Sequence, residues 1–237
     1  MKIIFKIRIH PITYLFTLIL FLMGYFNNYI IFMTIIIIHE LGHILASISL
    51  KWKIKEIIIL PLGCLIKFND LINKPLKEEF IISIMGIIFQ LLFTYKINPL
   101  YNNIIILFNL LPIYPLDGSK ILNILLNKIS NFKTSYIMTF HLSYIIIILL
   151  LIFLIIKKDL ISIIILIPLI KNIYQYYQNR YNYINKFYLE RYLYKLKFKK
   201  IKIIKNINKM KKDYSHLFNI NNKYIKEEDF LRNMFDK

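Results

Sequence analysis

Apolar residues run through this chain in long blocks separated by short polar ones. Six blocks stand out: Pro11–Phe26, Tyr29–Leu50, Phe80–Tyr95, Asn102–Leu126 with breaks, Ser135–Ile156 and Leu160–Tyr177. A helix needs about 20 apolar residues to cross hydrocarbon. The pattern therefore predicts an all-α polytopic membrane protein with about six transmembrane helices. Two places depart from it. Ile54 to Phe68 is rich in β-branched residues around Pro61 and Gly63, which predicts a short cytoplasmic β-hairpin, although an ordinary cytoplasmic loop fits the same pattern. In the fourth block, Pro112 and Pro115 remove backbone donors and interrupt the helix.

Composition supports the membrane class: 57% of the 237 residues are hydrophobic, and mean hydropathy is +0.54. Ile, Asn, Lys and Tyr are used so heavily that single choices among them carry little information. Exceptions to that bias carry more. Cys64 is the single cysteine, which excludes an intrachain disulfide and a thiolate metal cluster; it reads as a small apolar filler.

The net charge of +19 matters through its distribution. Lys and Arg number three in the N-terminal arm (Lys2, Lys6, Arg8), six in the 51–79 loop, three in the 119–135 loop and sixteen after residue 178. The alternate loops hold none at 27–28, Lys96 alone, and Lys157 with Lys158. By the positive-inside rule both termini face the cytoplasm of a multi-pass cell-membrane protein. No small-residue cleavage site follows the first block, so that span is expected to stay attached. The domain boundary is expected near residue 178, with the membrane domain over 1–178 and a basic cytoplasmic tail over 179–237. Directly inside a membrane, such a tail is expected to lie against anionic lipids, each basic residue contributing about 1 kcal/mol. No nucleic-acid partner is expected.

The candidate chemistry sits in the second block. His39-Glu40-Leu41-Gly42-His43 places two imidazoles one helical turn apart on a shared face, with a carboxylate beside them. That is the His-Glu-x-x-His pattern in which two neutral imidazoles bind zinc and the carboxylate accepts a proton from water. The pattern also arises by chance. Here, however, ionisable groups lie inside an apolar run, where they are costly unless partnered. Two histidines leave zinc a ligand short. Asp117, just past the proline break, is a candidate third ligand or a plain helix cap, and Asn109 is placed to hydrogen-bond whatever enters the site. His141 reads as a packing residue. No Ser/His/Asp arrangement, phosphate loop or dinucleotide fingerprint is present.

Taken together, these residues resemble the site-2 protease family of intramembrane zinc metalloproteases, particularly the branch typified by the stage IV sporulation protein FB. The likeness runs through Ile9-His10-Pro11, His39-Glu40-Leu41-Gly42-His43, Leu60-Pro61-Leu62-Gly63, Gly86 with Gln90, and Asn109 to Gly118. It implies a zinc ion held by His39, His43 and Asp117, Glu40 as the base, and substrate binding by Asn109. Pro115, Leu60 and Gly63 are expected to line the substrate's path. It implies cleavage of a membrane-associated protein near the cytoplasmic face, such as a pro-sigma or anti-sigma factor. Ser119, Ile87 and Cys64 depart from the family's usual residues without touching an expected ligand. Members of the branch often carry a nucleotide-sensing CBS domain; the basic stretch after Leu193 shows no alternating α/β pattern, and no complete CBS domain is expected. The rival reading is a non-catalytic membrane protein, either a transporter or an inactive protease-like binding protein. The transporter reading lacks internal repeats.

Overall fold

The structure is a computed structural model that describes residues 6–61, 63–69, 71–158, 160–220 and 223–236. Leu62 of the hairpin motif and Lys2 of the basic arm lie outside the described residues. The chain divides into two compact units, Met1–Asp70 with Phe80–Asn109, and Leu71–Glu79 with Leu110–Lys237.

The first unit opens with strand β1 (Lys6–Ile9) and helices α1 (Pro11–Leu22) and α2 (Phe26–Ser49). Pro11 suits the first turn of α1 because its missing N–H would have no partner there, and the His10 ring caps that turn by accepting the Ile12 N–H. Gly24 adopts a φ of 79°, a left-handed conformation that lets the chain turn back between α1 and α2. The expected hairpin is present as β2 (Ile54–Leu60) and β3 (Gly63–Phe68), paired antiparallel with Ile57 opposite Ile66. β1 adds to it in parallel, Ile9 opposite Ile59, giving a three-stranded sheet in the order β1-β2-β3. Most of α3 (Leu76–Thr94) and α4 (Pro99–Leu110) complete the unit. α2 and α3 approach closely at Gly42, where an added Cβ would lie 2.4 Å from the Met85 carbonyl oxygen. Small residues at helix crossings serve this purpose in membranes.

In the second unit, α5 (Asp117–Ile129) follows the proline segment, and α6 (Phe132–Lys157) and α7 (Leu160–Gln178) form a helical pair. α6 is built inside out. Its buried stripe is Ser135, Thr139 and Ser143 with Tyr136 and Ile147, while Leu149, Ile152, Phe153 and Ile156 face outward. That arrangement suits a hydrocarbon surround, in which polar groups must find partners within the protein. Ser143 Oγ donates to the Pro112 carbonyl and accepts the Tyr114 N–H, pinning the proline segment to α6.

Beyond Gln178 the structure corrects two expectations. The all-α fold class is incomplete, because a second three-stranded sheet forms there. The basic tail, in which the sequence shows no alternating α/β pattern, is also built of helices and strands. It folds as α8 (Arg180–Tyr194), β4 (Lys200–Ile204), β5 (Tyr214–Ile220), β6 (Lys223–Lys226) and α9 (Glu227–Phe235). β4 pairs with β5 in parallel and β5 with β6 antiparallel. Phe132, Ile184, Phe187, Tyr188, Ile204, Met210, Phe218 and Leu231 pack into one core. The cause of the misreading is physical: lysines alternate with the isoleucines of β4, so a core of few apolar residues lies hidden in a strongly basic composition.

Among the described residues, α2 and α6 are long and apolar enough to cross a membrane, and α1 is a shorter apolar helix. At 1.5 Å per residue, the 24 residues of α2 reach about 36 Å.

Candidate metal centre

α2 delivers His39 and His43 from successive turns, both nearly sealed from solvent at 3% and 4% exposure. Their protonation follows from their partners. His43 Nδ1 lies 2.7 Å from the Ile82 carbonyl oxygen. A carbonyl only accepts, so that nitrogen carries the proton. His39 Nδ1 lies 2.8 Å from Gln90 Oε1. The Gln90 amide is oriented by its other end, where Nε2 donates to the Asn102 carbonyl at 3.0 Å. With both Nδ1 protons committed, neutral rings present unprotonated Nε2 atoms, and these stand 3.1 Å apart.

Two nitrogen lone pairs at that distance repel unless a cation draws them together. Zinc with ligand bonds of 2.0–2.1 Å in tetrahedral geometry sets its nitrogens about 3.3 Å apart. The pair fits that ion. Gly86 on α3 keeps the space open: a Cβ there would lie 2.3 Å from His43 Nε2 and 2.8 Å from His39 Nε2.

Asp117 is the first residue of α5, and Leu116, not Asp117, occupies the N-cap. The carboxylate is 4% exposed and ion-paired at 2.7 Å to Lys120, whose own side chain is half exposed. Its position depends on Gly118, where a Cβ would sit 2.1 Å from the Leu110 carbonyl oxygen. Like His39 and His43, Asp117 is a buried donor. Two imidazoles and a carboxylate are a donor set that zinc accepts.

Glu40 is half-buried on α2. Its carboxylate is felt at Cys64 on β3, whose thiol is pushed up to about 12, first by burial and then by the charge of Glu40. Cys64 thus stays a protonated, inert side chain. Asn109 in the last turn of α4, Pro115 in the proline segment, and Leu60 and Gly63 facing each other across the hairpin are all half-buried. The other histidines serve elsewhere. His10 caps α1, His141 is exposed on α6, and His216 is buried in the second sheet.

Sequence reading missed the groups that hold the imidazoles. The Ile82 carbonyl leaves no trace in a sequence. Gln90 does, as an amide inside an apolar block with Thr94 one turn on, yet it entered only through the resemblance.

Residues 28–105 match Peptidase family M50. Among curated proteins, the stage IV sporulation protein FB of Bacillus subtilis is 32% identical over 154 residues, covering 57% of this chain and 53% of that protein. A zinc metalloprotease of Methanocaldococcus jannaschii is also 32% identical over 154 residues, covering 53% of this chain and 45% of that protein. The chain spans about half the length of the curated relatives it matches. Among solved structures, the site-2 protease from Methanocaldococcus jannaschii superimposes with a TM-score of 0.57 at 21% identity, covering 74% of this chain and 93% of that one. That likeness shows a shared fold.

Proposed function

We propose, from the site-2 protease domain of Peptidase family M50 that this chain carries, that it is a zinc-dependent intramembrane endopeptidase. Its substrate would be another membrane-associated protein, cut near the cytoplasmic face. The observation that carries the reading is the pair of opposed Nε2 atoms, each with its Nδ1 proton already committed, on a helix whose next residue after His39 is Glu40.

In this reading His39, His43 and Asp117 hold the ion. Bound zinc supplies a Lewis acid that polarises a carbonyl and acidifies water. Glu40 takes the proton of the attacking water and passes it to the departing amine, so that the peptide bond is replaced by a carboxyl and an amine. Asn109 and Pro115 steady the substrate backbone. A helical substrate has its amides already paired, so it must unwind before cleavage. Its strand would add along β3, the edge strand of the hairpin, from Gly63 opposite Leu60, by main-chain hydrogen bonding.

The surrounding architecture follows the charge pattern. Six spans are assigned to α1, α2, α3, the α4–α5 pair, α6 and α7, with both termini cytoplasmic. Residues 1–178 form the protease domain and 179–237 a basic cytoplasmic region against anionic lipid. A pro-sigma or anti-sigma factor is the proposed kind of substrate.

Glu40→Gln tests the reading. The purified variant should keep its zinc and lose cleavage of a membrane-anchored test peptide by about 10²–10⁴-fold, while His43→Ala should lose the metal as well. Cleavage at the wild-type rate by Glu40→Gln, or a wild-type chain that takes up no zinc, would refute it.

A further inference from the structure

We propose that Gln90 is a positioning residue for the metal centre: its amide holds His39 in the one tautomer and ring orientation that present Nε2 as a ligand. The inference rests on the metalloprotease reading and extends it to a residue outside the ligand set.

Gln90 is fully buried on α3, where an unsatisfied amide is costly. Both ends are satisfied, and in only one arrangement. The Asn102 carbonyl on α4 cannot donate, so Gln90 Nε2 must donate to it at 3.0 Å. Oε1 then necessarily faces His39 Nδ1 at 2.8 Å and accepts its proton. A main-chain oxygen two links away thereby dictates which ring nitrogen of His39 carries the proton. Thr94, also fully buried, stands within reach of both partners, its hydroxyl 2.6 Å from the Gln90 carbonyl and 2.8 Å from Asn102 Oδ1. α3 and α4 are joined by this chain of polar groups at the level of the imidazole.

The two imidazoles differ in this respect. His43 is held by the Ile82 main chain, which side-chain substitution leaves in place. His39 Nδ1 is held by a side chain. A residue that merely filled space between α2, α3 and α4 would be replaceable by an apolar side chain of equal length, and the hydrogen-bonding account forbids that exchange. Partners that orient metal-bound histidines are generally worth about 10–100-fold in metal affinity.

The test uses the full chain in detergent, with zinc affinity measured by chelator competition and the visible absorption of the cobalt-substituted protein recorded alongside. Gln90→Met preserves length and removes the acceptor; it should bind zinc about 10–100-fold more weakly and shift the cobalt bands. Gln90→Glu, its carboxyl protonated toward the Asn102 carbonyl, keeps an acceptor for the same His39 proton and should recover affinity. Thermal melting of each variant reports on folding, and Gln90→Leu replaces the Met variant if that one does not fold. Wild-type affinity with unchanged cobalt bands in Gln90→Met would overturn the proposal. So would equal metal loss in Gln90→Glu, since an acceptor for the His39 proton would then make no difference. Absence of zinc uptake by the wild type, or its persistence in His43→Ala, would instead bring down the metalloprotease reading underneath.

Discussion

Arg191 and Glu227 form an ion pair at 2.9 Å inside the C-terminal fold, with the arginine side chain fully enclosed. Arg191 also donates to Asn73 Oδ1 and to the Lys211 and Tyr214 carbonyls, so one guanidinium ties α8 to β5, to α9 and to the segment before α3. Its neighbour Glu190 accepts the Ile72 and Asn73 N–H groups from the same segment. Removing one partner of a buried pair leaves the other charge stranded, at about 3–5 kcal/mol. Arg191→Met should therefore unfold this region at markedly lower denaturant, as followed by protease sensitivity of residues 180–236. Unchanged sensitivity would show the pair to be dispensable.

Stability of the same region should fall in mild acid. Burial holds His216 below its usual histidine value, against the pull of the Glu227 carboxylate, with Arg191 and Lys202 adding to the depression. The unfolded chain, with a histidine near 6.5, then binds a proton that the folded one refuses, so stability drops as pH falls below that value. The loss should stop growing once the folded form also titrates. Glu227 is itself below the usual carboxylate value, its burial outweighed by His216 and Arg191, so its contribution disappears only below about 4.5. Melting temperatures between pH 8 and pH 5 should slope in the wild type and flatten in His216→Asn. Parallel slopes would exclude His216 as the source.

Gly86→Ala should evict the metal without unwinding α3. Its methyl would collide with both ring nitrogens at the point where a ligand must sit, an overpacking of about 1–3 kcal/mol. Zinc content after dialysis, compared with helical content by circular dichroism, separates the two effects. Full zinc occupancy in the variant would contradict the placement of α3 against His39 and His43.

Orientation can be tested with single cysteines in a Cys64→Ser background. Asn27 and Asn206 are exposed, so an impermeant thiol reagent should label the first from outside intact cells and spare the second. Asn73 makes a poor probe despite lying in a loop, because it is buried against Glu190 and Arg191. Labelling of Asn206→Cys from outside would reverse the proposed topology.

What could be read in advance was whatever depended on local chemistry. Two histidines one turn apart, a Pro-Leu-Gly hairpin and two prolines before Asp117 each state their geometry within a few residues, and the elements appear where those signals lie. The second sheet was illegible because its pairing is long-range: Ile204 pairs with Phe218, and both share a core with Leu231, across a stretch rich in lysine and asparagine. β1 was missed for the same reason, since four residues show no strand signal until β2 is there to pair with them. Gln90 was visible as an oddity but not as a partner, because its role depends on a carbonyl on a different helix.

The inside-out build of α6 has an evolutionary consequence. Lipid chains are fluid and do not discriminate one aliphatic shape from another, so Leu149, Ile152, Ile155 and Ile156 occupy positions where a drifting genome can exchange Leu, Ile, Val and Phe almost freely. Ser135, Thr139 and Ser143 have no such freedom, each being hydrogen-bonded within the helix packing. A genome under pressure toward a narrow codon set can therefore rewrite the outside of this helix while three hydroxyls keep its inside legible.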